Sequence, residues 1–264
     1  MAAFKTEYSM KRLFLWALSA GACFVLSCGG PEANRTARSA IDYGGGAPKR
    51  ERRGGMEVHG IMGTINTNRI QEIFELRLLK FERCFAEREG EIAYIGGRIE
   101  FYFRVALDGS VVWVNPKTST IGDRKTERCL MDIVKETRFP QPRGGGEAEV
   151  AWGFEREPNP EVRPPVDADS ESLLPIVEQN LDSLFVCDLG SSSVTISALI
   201  APGGTVVAAG ASVAGRDQAD QSMLDCVTDA VAGWLMPDPG AQAVKFSFNL
   251  PWIGQSTESY AFIR

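Results

Sequence analysis

The residues whose chemistry can be argued from their spacing are six cysteines: Cys23, Cys28, Cys84, Cys129, Cys187 and Cys226. Cysteine thiols can pair as disulfides, bind a metal ion as thiolates or act as a redox couple. No two of these cysteines are separated by two residues, so the C-x-x-C spacing of zinc and redox motifs is absent. The spacing therefore favours structural disulfides if the chain reaches an oxidising compartment.

Catalytic chemistry has few candidate residues. The single histidine, His59, has no fixed partner in the sequence. Asp132 and Asp229 recur at matching helix positions, but we expect a polar contact on the helix face or a solvated position at both rather than a catalytic role. The P-loop, the serine-hydrolase elbow and the HExxH zinc motif do not occur. We therefore predict no catalytic residue, no metal site and no cofactor, and an enzyme with an unrecognised site is the alternative.

The later cysteines belong to an internal repeat. Residues 129–142 align without a gap with residues 226–239, so that Cys129 matches Cys226 and both stretches end at Pro-x-Pro. A period of 97 residues is too long for a solenoid unit but suits a duplicated small domain. The chain is therefore predicted to hold two copies of one fold.

The amino-terminal part of the chain lacks the composition of a folded core. A basic pair precedes Leu13–Leu26, an apolar run of 14 residues that is too short for a spanning helix and fits a secretory signal peptide. Cys28 follows a small residue at the end of this run, an arrangement that resembles the lipobox of bacterial lipoproteins. Residues 1–27 are therefore predicted to be a lipoprotein signal peptide, Cys28 the lipidation site and residues 28–56 a disordered tether. An ordinary signal peptide or a single-span anchor is the alternative.

Each copy is predicted to contain two amphipathic helices with one cysteine on or beside the apolar face of each. Because an exported protein meets an oxidising space, the two helices of a copy should be joined by a disulfide, Cys84 to Cys129 and Cys187 to Cys226. A four-thiolate metal site and a redox pair are the alternatives. The helices are expected at about residues 66–88, 123–136, 172–188 and 218–234.

Each copy is also predicted to contain three strands. Alternating residues over Arg98–Leu107 precede the Asp108-Gly109 turn signal and a return strand, and Pro202-Gly203-Gly204 separates two similar runs in the second copy. A closing strand follows the second helix in both copies. The predicted fold class is therefore α+β, with two tandem αββαβ domains, each with two helices on one face of a three-stranded antiparallel sheet. Copy one is placed at residues 57–157, a proline-rich linker at 158–171 and copy two at 172–264.

Several motifs of copy one match one known family. They are Val58-x-Gly60-x-x-Gly63, Cys84-Phe85, Gly97-Arg98-Ile99, Asp108-Gly109-Ser110-Val111 and Arg138-Phe139-Pro140-x-Pro142. This pattern resembles the AgmX/PglI C-terminal domain of myxobacterial envelope proteins, which is similar to the TonB C-terminal domain. The likeness covers residues 57–155 well and residues 172–250 thinly, and Phe85 and Asp188 stand where the family often has tyrosine. The resemblance implies an αββαβ fold, a place in the cell envelope, and protein binding in machinery such as gliding motility or export.

Charge and architecture together indicate the class of partner. The net charge of −6 argues against nucleic acid, and no small-molecule substrate is indicated. An open sheet edge could accept a strand from an envelope protein, and the row Arg98, Glu100, Tyr102 and Arg104 would select that partner. The predicted function is a lipid-anchored, non-catalytic interaction or scaffold module at the outer membrane, facing the periplasm. A TonB-like energy transducer is the alternative, disfavoured because it would need an inner-membrane helix and a long spacer.

Overall fold

The computed structural model describes residues 62–189, 193–215 and 217–250. The predicted signal peptide, the lipidation site Cys28, the tether and His59 lie outside these residues, as do residues 251–264. The described chain is an α+β protein with five helices and two mainly antiparallel sheets. None of its described helices has the length and apolar character needed to cross a bilayer.

The first half of the described chain, residues 62–157, follows the predicted order except that its first helix is divided. That helix was expected over residues 66–88, but the chain tightens near Leu76, where Arg77 N–H donates to the Phe74 carbonyl at 2.8 Å. Neither proline nor glycine marks this break, so the apolar pattern gives no sign of it. The elements are α1 Thr67–Glu75, α2 Leu78–Glu89, β1 Gly97–Val105, β2 Val111–Ser119, α3 Arg124–Lys135 and β3 Ala148–Arg156.

The second half, residues 158–250, begins with a strand that the sequence pattern does not predict. Residues 158–171 were expected to be only an extended linker, yet two of them pair with the closing strand of this half. Proline-rich composition predicts an extended chain but does not say what lies beside it. The elements are β4 Val166–Asp167, α4 Ser170–Phe185, β5 Val194–Ile200, β6 Val206–Val213, α5 Gln221–Ala232 and β7 Val244–Leu250.

Each half has its own sheet. The first sheet has three strands in the order β2-β1-β3, all antiparallel. The second has four strands in the order β4-β7-β5-β6, in which β4 runs parallel to β7 and the other pairs are antiparallel. The expectation of three strands is therefore wrong for the second sheet, because the linker supplies a fourth.

Both predicted disulfides are present. Cys84 of α2 is joined to Cys129 of α3 with their Cα atoms 5.8 Å apart, and Cys187 is joined to Cys226 of α5 at 5.5 Å. Cys187 follows α4 rather than lying within it. Each disulfide lies beside a separate apolar cluster. The first cluster is rich in aromatic rings, such as Phe74, which stacks on Trp152 with the ring centroids 3.7 Å apart.

The two halves share a packed junction. Leu199 of β5 and Ala208 of β6 belong to the apolar cluster of the first half. A Cβ atom on Gly210 would lie 2.3 Å from Glu127 Oε1, so glycine allows α3 to approach the β6 backbone. The first half covers this face of the second sheet, and this close packing explains why the side chains there are small.

Side chains of α3 and α5 also meet across the junction. The Arg124 guanidinium donates to the Gln221 side chain at 2.7 Å, and Arg128 and Asp225 form an ion pair at 3.0 Å. The junction therefore contains polar as well as apolar contacts.

Candidate functional site

The candidate site is a sheet edge. In the described part of the chain the other sheet edges are covered, and this edge is not. The outer edge of β7 carries β4 in parallel. Val166 N–H donates to the Ala243 carbonyl at 3.1 Å, and Ala168 N–H donates to the Lys245 carbonyl at 2.7 Å. The second sheet therefore already has an extended segment added to its closing strand in cis.

The outer edge of β6 is covered by side chains of the first half. Ala211 N–H donates to the Glu127 carboxylate at 3.0 Å, and the Ser119 hydroxyl donates to its other oxygen at 2.6 Å. Glu127 is fully buried. A strand from another protein could reach Ala211 only by displacing the first half.

The outer edge of β2 is covered near its start. The Lys135 ammonium group donates to the Val111 carbonyl at 2.9 Å and also to the Val112 carbonyl. Farther along β2, the Asn115 side chain is held between the Asp217 carbonyl and the Ala219 N–H group, at 2.6 and 3.0 Å. Both halves therefore contribute to closing this edge.

The outer edge of β3 can be read from the hydrogen-bond pattern of its neighbour. The Arg98 carbonyl accepts from Thr120 N–H at 2.8 Å, so Arg98 directs its backbone groups towards β2 and Ile99 directs its own towards β3. Ile99 pairs with Phe154, which therefore faces β1. Backbone direction alternates along a strand, so Ala151 and Gly153 turn their N–H and C=O groups outward.

These outward groups are accessible. Ala151, Gly153 and Glu155 are exposed, and none of their outward backbone groups bonds to another described residue. The flanking side chains are small at Ala151 and absent at Gly153, so an approaching backbone would meet no bulky group there. An exposed edge of this kind is the surface to which an extended peptide adds as a further strand.

The predicted partner-binding row lies on β1, on the face of the first sheet opposite the buried Phe101 and Phe103. Arg104 pairs with Glu149 of β3 at 2.8 Å, and its guanidinium lies over the Trp113 ring at 5.3 Å from the centroid. The Tyr102 hydroxyl also bonds to Glu149. The central part of the row is therefore engaged with the neighbouring strands.

The other two members of the row differ from each other. Glu100 pairs with Lys117 at 2.9 Å. Arg98 is exposed, has no carboxylate partner among the described residues, and its guanidinium lies about 3.9 Å from the position of a Cβ atom on Gly153. Arg98 is thus the member of the row that lies beside the β3 edge with its charge uncompensated by the described chain.

Glu127 is the buried carboxylate of the junction. Burial raises the pKa of Glu127 from 4.5 to about 7, although the bond from Ser119, the nearby Arg124 charge and the bond from Ala211 favour its ionised form. Arg124 comes within 3.9 Å of the carboxylate. The junction therefore contains a group that changes charge near neutral pH.

The sequence predictions missed the residues that define these edges. Glu127 lies three residues before Leu130 and seven before Val134, which places it on the buried side of α3. That polar residue on an apolar stripe was an available signal. Ala151 and Gly153 carried no such signal, because edge position depends on strand order and not on the residues of the strand itself.

The described residues hold no group of three or more His, Cys, Asp or Glu side chains arranged to bind a metal ion. The four cysteines of the described chain are all in disulfides.

No protein-family model, no curated protein and no solved structure matches this chain.

Proposed function

We propose that this chain is a non-catalytic interaction module of a bacterial cell envelope that binds an extended segment of an envelope protein along the outer edge of β3. In this proposal its two halves are tandem, diverged αββαβ domains of the AgmX/PglI C-terminal kind. Cys28 carries lipid and holds the protein at the outer membrane, facing the periplasm. The two disulfides support an oxidising compartment, where such bonds persist.

The observation that carries this proposal is the difference between the sheet edges of the described chain. β4 covers β7, Glu127 covers part of β6, and Lys135 covers the start of β2. The outward groups of Ala151 and Gly153 on β3 have no such cover among the described residues. Proteins usually cover or charge an exposed sheet edge to prevent unwanted pairing with other chains. An edge that is left accessible is therefore an argument for a role in binding.

The second half supports the proposal with an example of the same interaction. β7 is the closing strand of its half, as β3 is of the first, and β7 has accepted β4 along its outer edge. Main-chain bonds supply much of the affinity when a strand is added, whereas neighbouring side chains supply selectivity. Arg98 and the ion pair of Arg104 with Glu149 are the charged groups closest to that role.

A pair of substitutions at one position tests the proposal. Ala151→Pro removes the outward N–H group but leaves the bonds between β3 and β1, since proline is tolerated on edge strands. Ala151→Thr keeps the N–H group and favours a strand. Each full-length variant would be used to capture proteins from detergent-solubilised envelopes of the source cells, with thermal unfolding as the check on folding.

We expect the threonine variant to capture the same protein as the unsubstituted chain and the proline variant to lose at least about tenfold in captured amount, equivalent to about 1.4 kcal/mol, the scale of a lost hydrogen bond. Equal capture by two folded variants would remove β3 as the binding edge. Loss of capture by both would show that the side chain, and not the main chain, is recognised.

A further inference from the structure

Leucine side chains are exposed at the turn between α1 and α2. Leu76 is 80% exposed, Leu78 is 40% exposed and Leu79 is 85% exposed. Single exposed leucines are common on protein surfaces, but a group of them in consecutive turns of chain is the kind of apolar patch that marks a contact with another molecule. A side chain as exposed as that of Leu79 touches little of its own chain, so the patch projects from the first half.

The same side of α2 carries basic residues. Leu79 and Lys80 lie four and three residues before Arg83, a spacing that places the three side chains together on a helix. All three are exposed, whereas Phe81 and Phe85 are fully buried on the other side of α2. The apolar patch is therefore continuous with a basic surface.

The basic residues around the leucines are not engaged in ion pairs with the described chain. They are Arg77, Lys80 and Arg83. Two carboxylates of the same stretch have other partners, since Glu72 pairs with Arg69. Glu82 pairs with Arg156 at 2.8 Å. Glu75, which accepts from a glutamine, is the neighbouring carboxylate that remains, so the surroundings of the leucines carry a net positive charge.

We propose that the leucines of the α1–α2 turn insert into the surface of an anionic lipid bilayer and that Lys80 and Arg83 contact its headgroups. Apolar side chains at the boundary between headgroups and acyl chains, beside basic residues that meet anionic headgroups, make a peripheral membrane contact. The long apolar stems of lysine and arginine let their charged ends stay among the headgroups. This contact does not require strand addition at β3, so either can fail without the other.

A bilayer fits this surface better than a protein partner does. A protein would have to supply a pocket for projecting leucines and carboxylates for the cations around them. An anionic bilayer supplies an apolar interior and negative charge at every point of its surface. The combination of projection and unpaired positive charge therefore favours lipid.

The second half contains a matched control position. Leu76 is the residue that ends α1, Val186 is the residue that ends α4, and both are 80% exposed. Val186 lies between the exposed Asp182 and Asp188 instead of beside cations. An apolar residue with the same exposure but acidic neighbours should not enter an anionic bilayer.

Fluorescence quenching by lipid tests the contact in the full-length chain. A fluorescent amino acid would be incorporated at position 76 or at position 186, and each protein reconstituted in vesicles of phosphatidylcholine and phosphatidylglycerol with brominated acyl chains, which quench at short range. We expect at least about threefold more quenching at position 76 than at position 186. Quenching at position 76 should fall in vesicles of phosphatidylcholine alone.

Lys80→Gln combined with Arg83→Gln tests the charges, with thermal unfolding as the check on folding. In the protein labelled at position 76, this change should lower the ratio of quenched to unquenched molecules by about tenfold, because each basic residue favours an anionic surface. Equal quenching at positions 76 and 186, or quenching that neither the double substitution nor the loss of phosphatidylglycerol reduces, would overturn the proposal. Absence of quenching at position 76, with protein cross-links from a photoreactive residue there in intact cells, would assign the leucines to a protein partner instead.

Discussion

Two carboxylates at the start of α3 stabilise different parts of the molecule. Asp123 caps the helix by accepting from Thr126 N–H at 3.0 Å, and it also accepts two bonds from the Arg88 guanidinium at 3.0 and 3.1 Å. Glu127, one turn later, reaches the second half instead. One helix terminus thus holds the first half together and joins it to the second.

Asp123→Ala should lower the free energy of unfolding by about 3–5 kcal/mol, because it leaves the largely buried Arg88 charge with only the exposed Glu91 as a partner. Asp220 is a control, because it caps α5 from an exposed position and has no arginine partner among the described residues. Urea unfolding of both alanine variants should show a clearly smaller loss for Asp220→Ala. Similar losses in the two variants would mean that capping alone, and not the buried ion pair, is what Asp123 supplies.

Glu127 should make stability depend on pH. Its pKa is about 7 in the folded chain and 4.5 ordinarily, so between these values the folded state keeps a proton that the unfolded state has lost. The free energy of unfolding should therefore fall as pH rises from about 4.5 to about 7, by about 3 kcal/mol at most. Urea unfolding across this range should show the fall in the unsubstituted chain.

Glu127→Gln has no proton to exchange at this position, so its free energy of unfolding should lose that slope. The carboxamide keeps a similar shape, which makes it the matched variant. An identical slope in the glutamine variant would assign the pH dependence to other groups.

At the scale of the elements, both hairpins are fastened to the chain that follows the second helix of their half. Phe139 N–H donates to the Gly109 carbonyl and Met236 N–H donates to the Gly204 carbonyl, each at 2.9 Å. Gly109 and Gly204 both have positive φ. In each half, therefore, the hairpin turn docks on the segment that follows the second helix of that half.

Gly204→Ala should lower the free energy of unfolding by more than about 3 kcal/mol, since its Cβ atom would lie 2.0 Å from the Met236 carbonyl oxygen in a backbone with φ of +81°. Gly203→Ala is the control, because its φ is +88° but no heavy atom lies within 4 Å of the added Cβ. That change should lower it by only about 1–2 kcal/mol. Thermal unfolding compares the two, and equal losses would show that backbone strain alone matters.

The sequence was sufficient for most elements and for both disulfides, because periodicity and turn residues are local signals. The alternation of Arg98–Leu107 predicted β1, and the repeated cysteines predicted the helix links. The division between α1 and α2 could not be predicted, since neither proline nor glycine marks it. The β4 strand was also missed: two linker residues became a strand only because β7 lies beside them.

At the scale of the molecule, the junction should make the two halves unfold together. Leu199 and Ala208 pack in the first half's cluster, and Arg124 pairs with Asp225 at 2.9 Å. Each half nevertheless has its own core and disulfide, so the coupling depends on the junction alone. Calorimetry of the unsubstituted chain should show one cooperative transition.

Gly210→Ala should divide that transition into two, because the added Cβ atom would lie 2.3 Å from Glu127 Oε1 and separate α3 from β6. Gly90→Ala is the control, since no heavy atom lies within 4 Å of its added Cβ. The control should keep a single transition near the original midpoint. A single unshifted transition in both variants would show that the halves do not need this contact to unfold together.

The most direct test of the β3 edge is photo-cross-linking in intact cells from a photoreactive residue at position 151, with position 79 as the comparison. Leu79 is 85% exposed and lies on helix α2 rather than on a strand. We expect protein products from position 151 only, joined to an extended segment of an envelope protein. No product from position 151, or equal products from both positions, would contradict strand addition at β3.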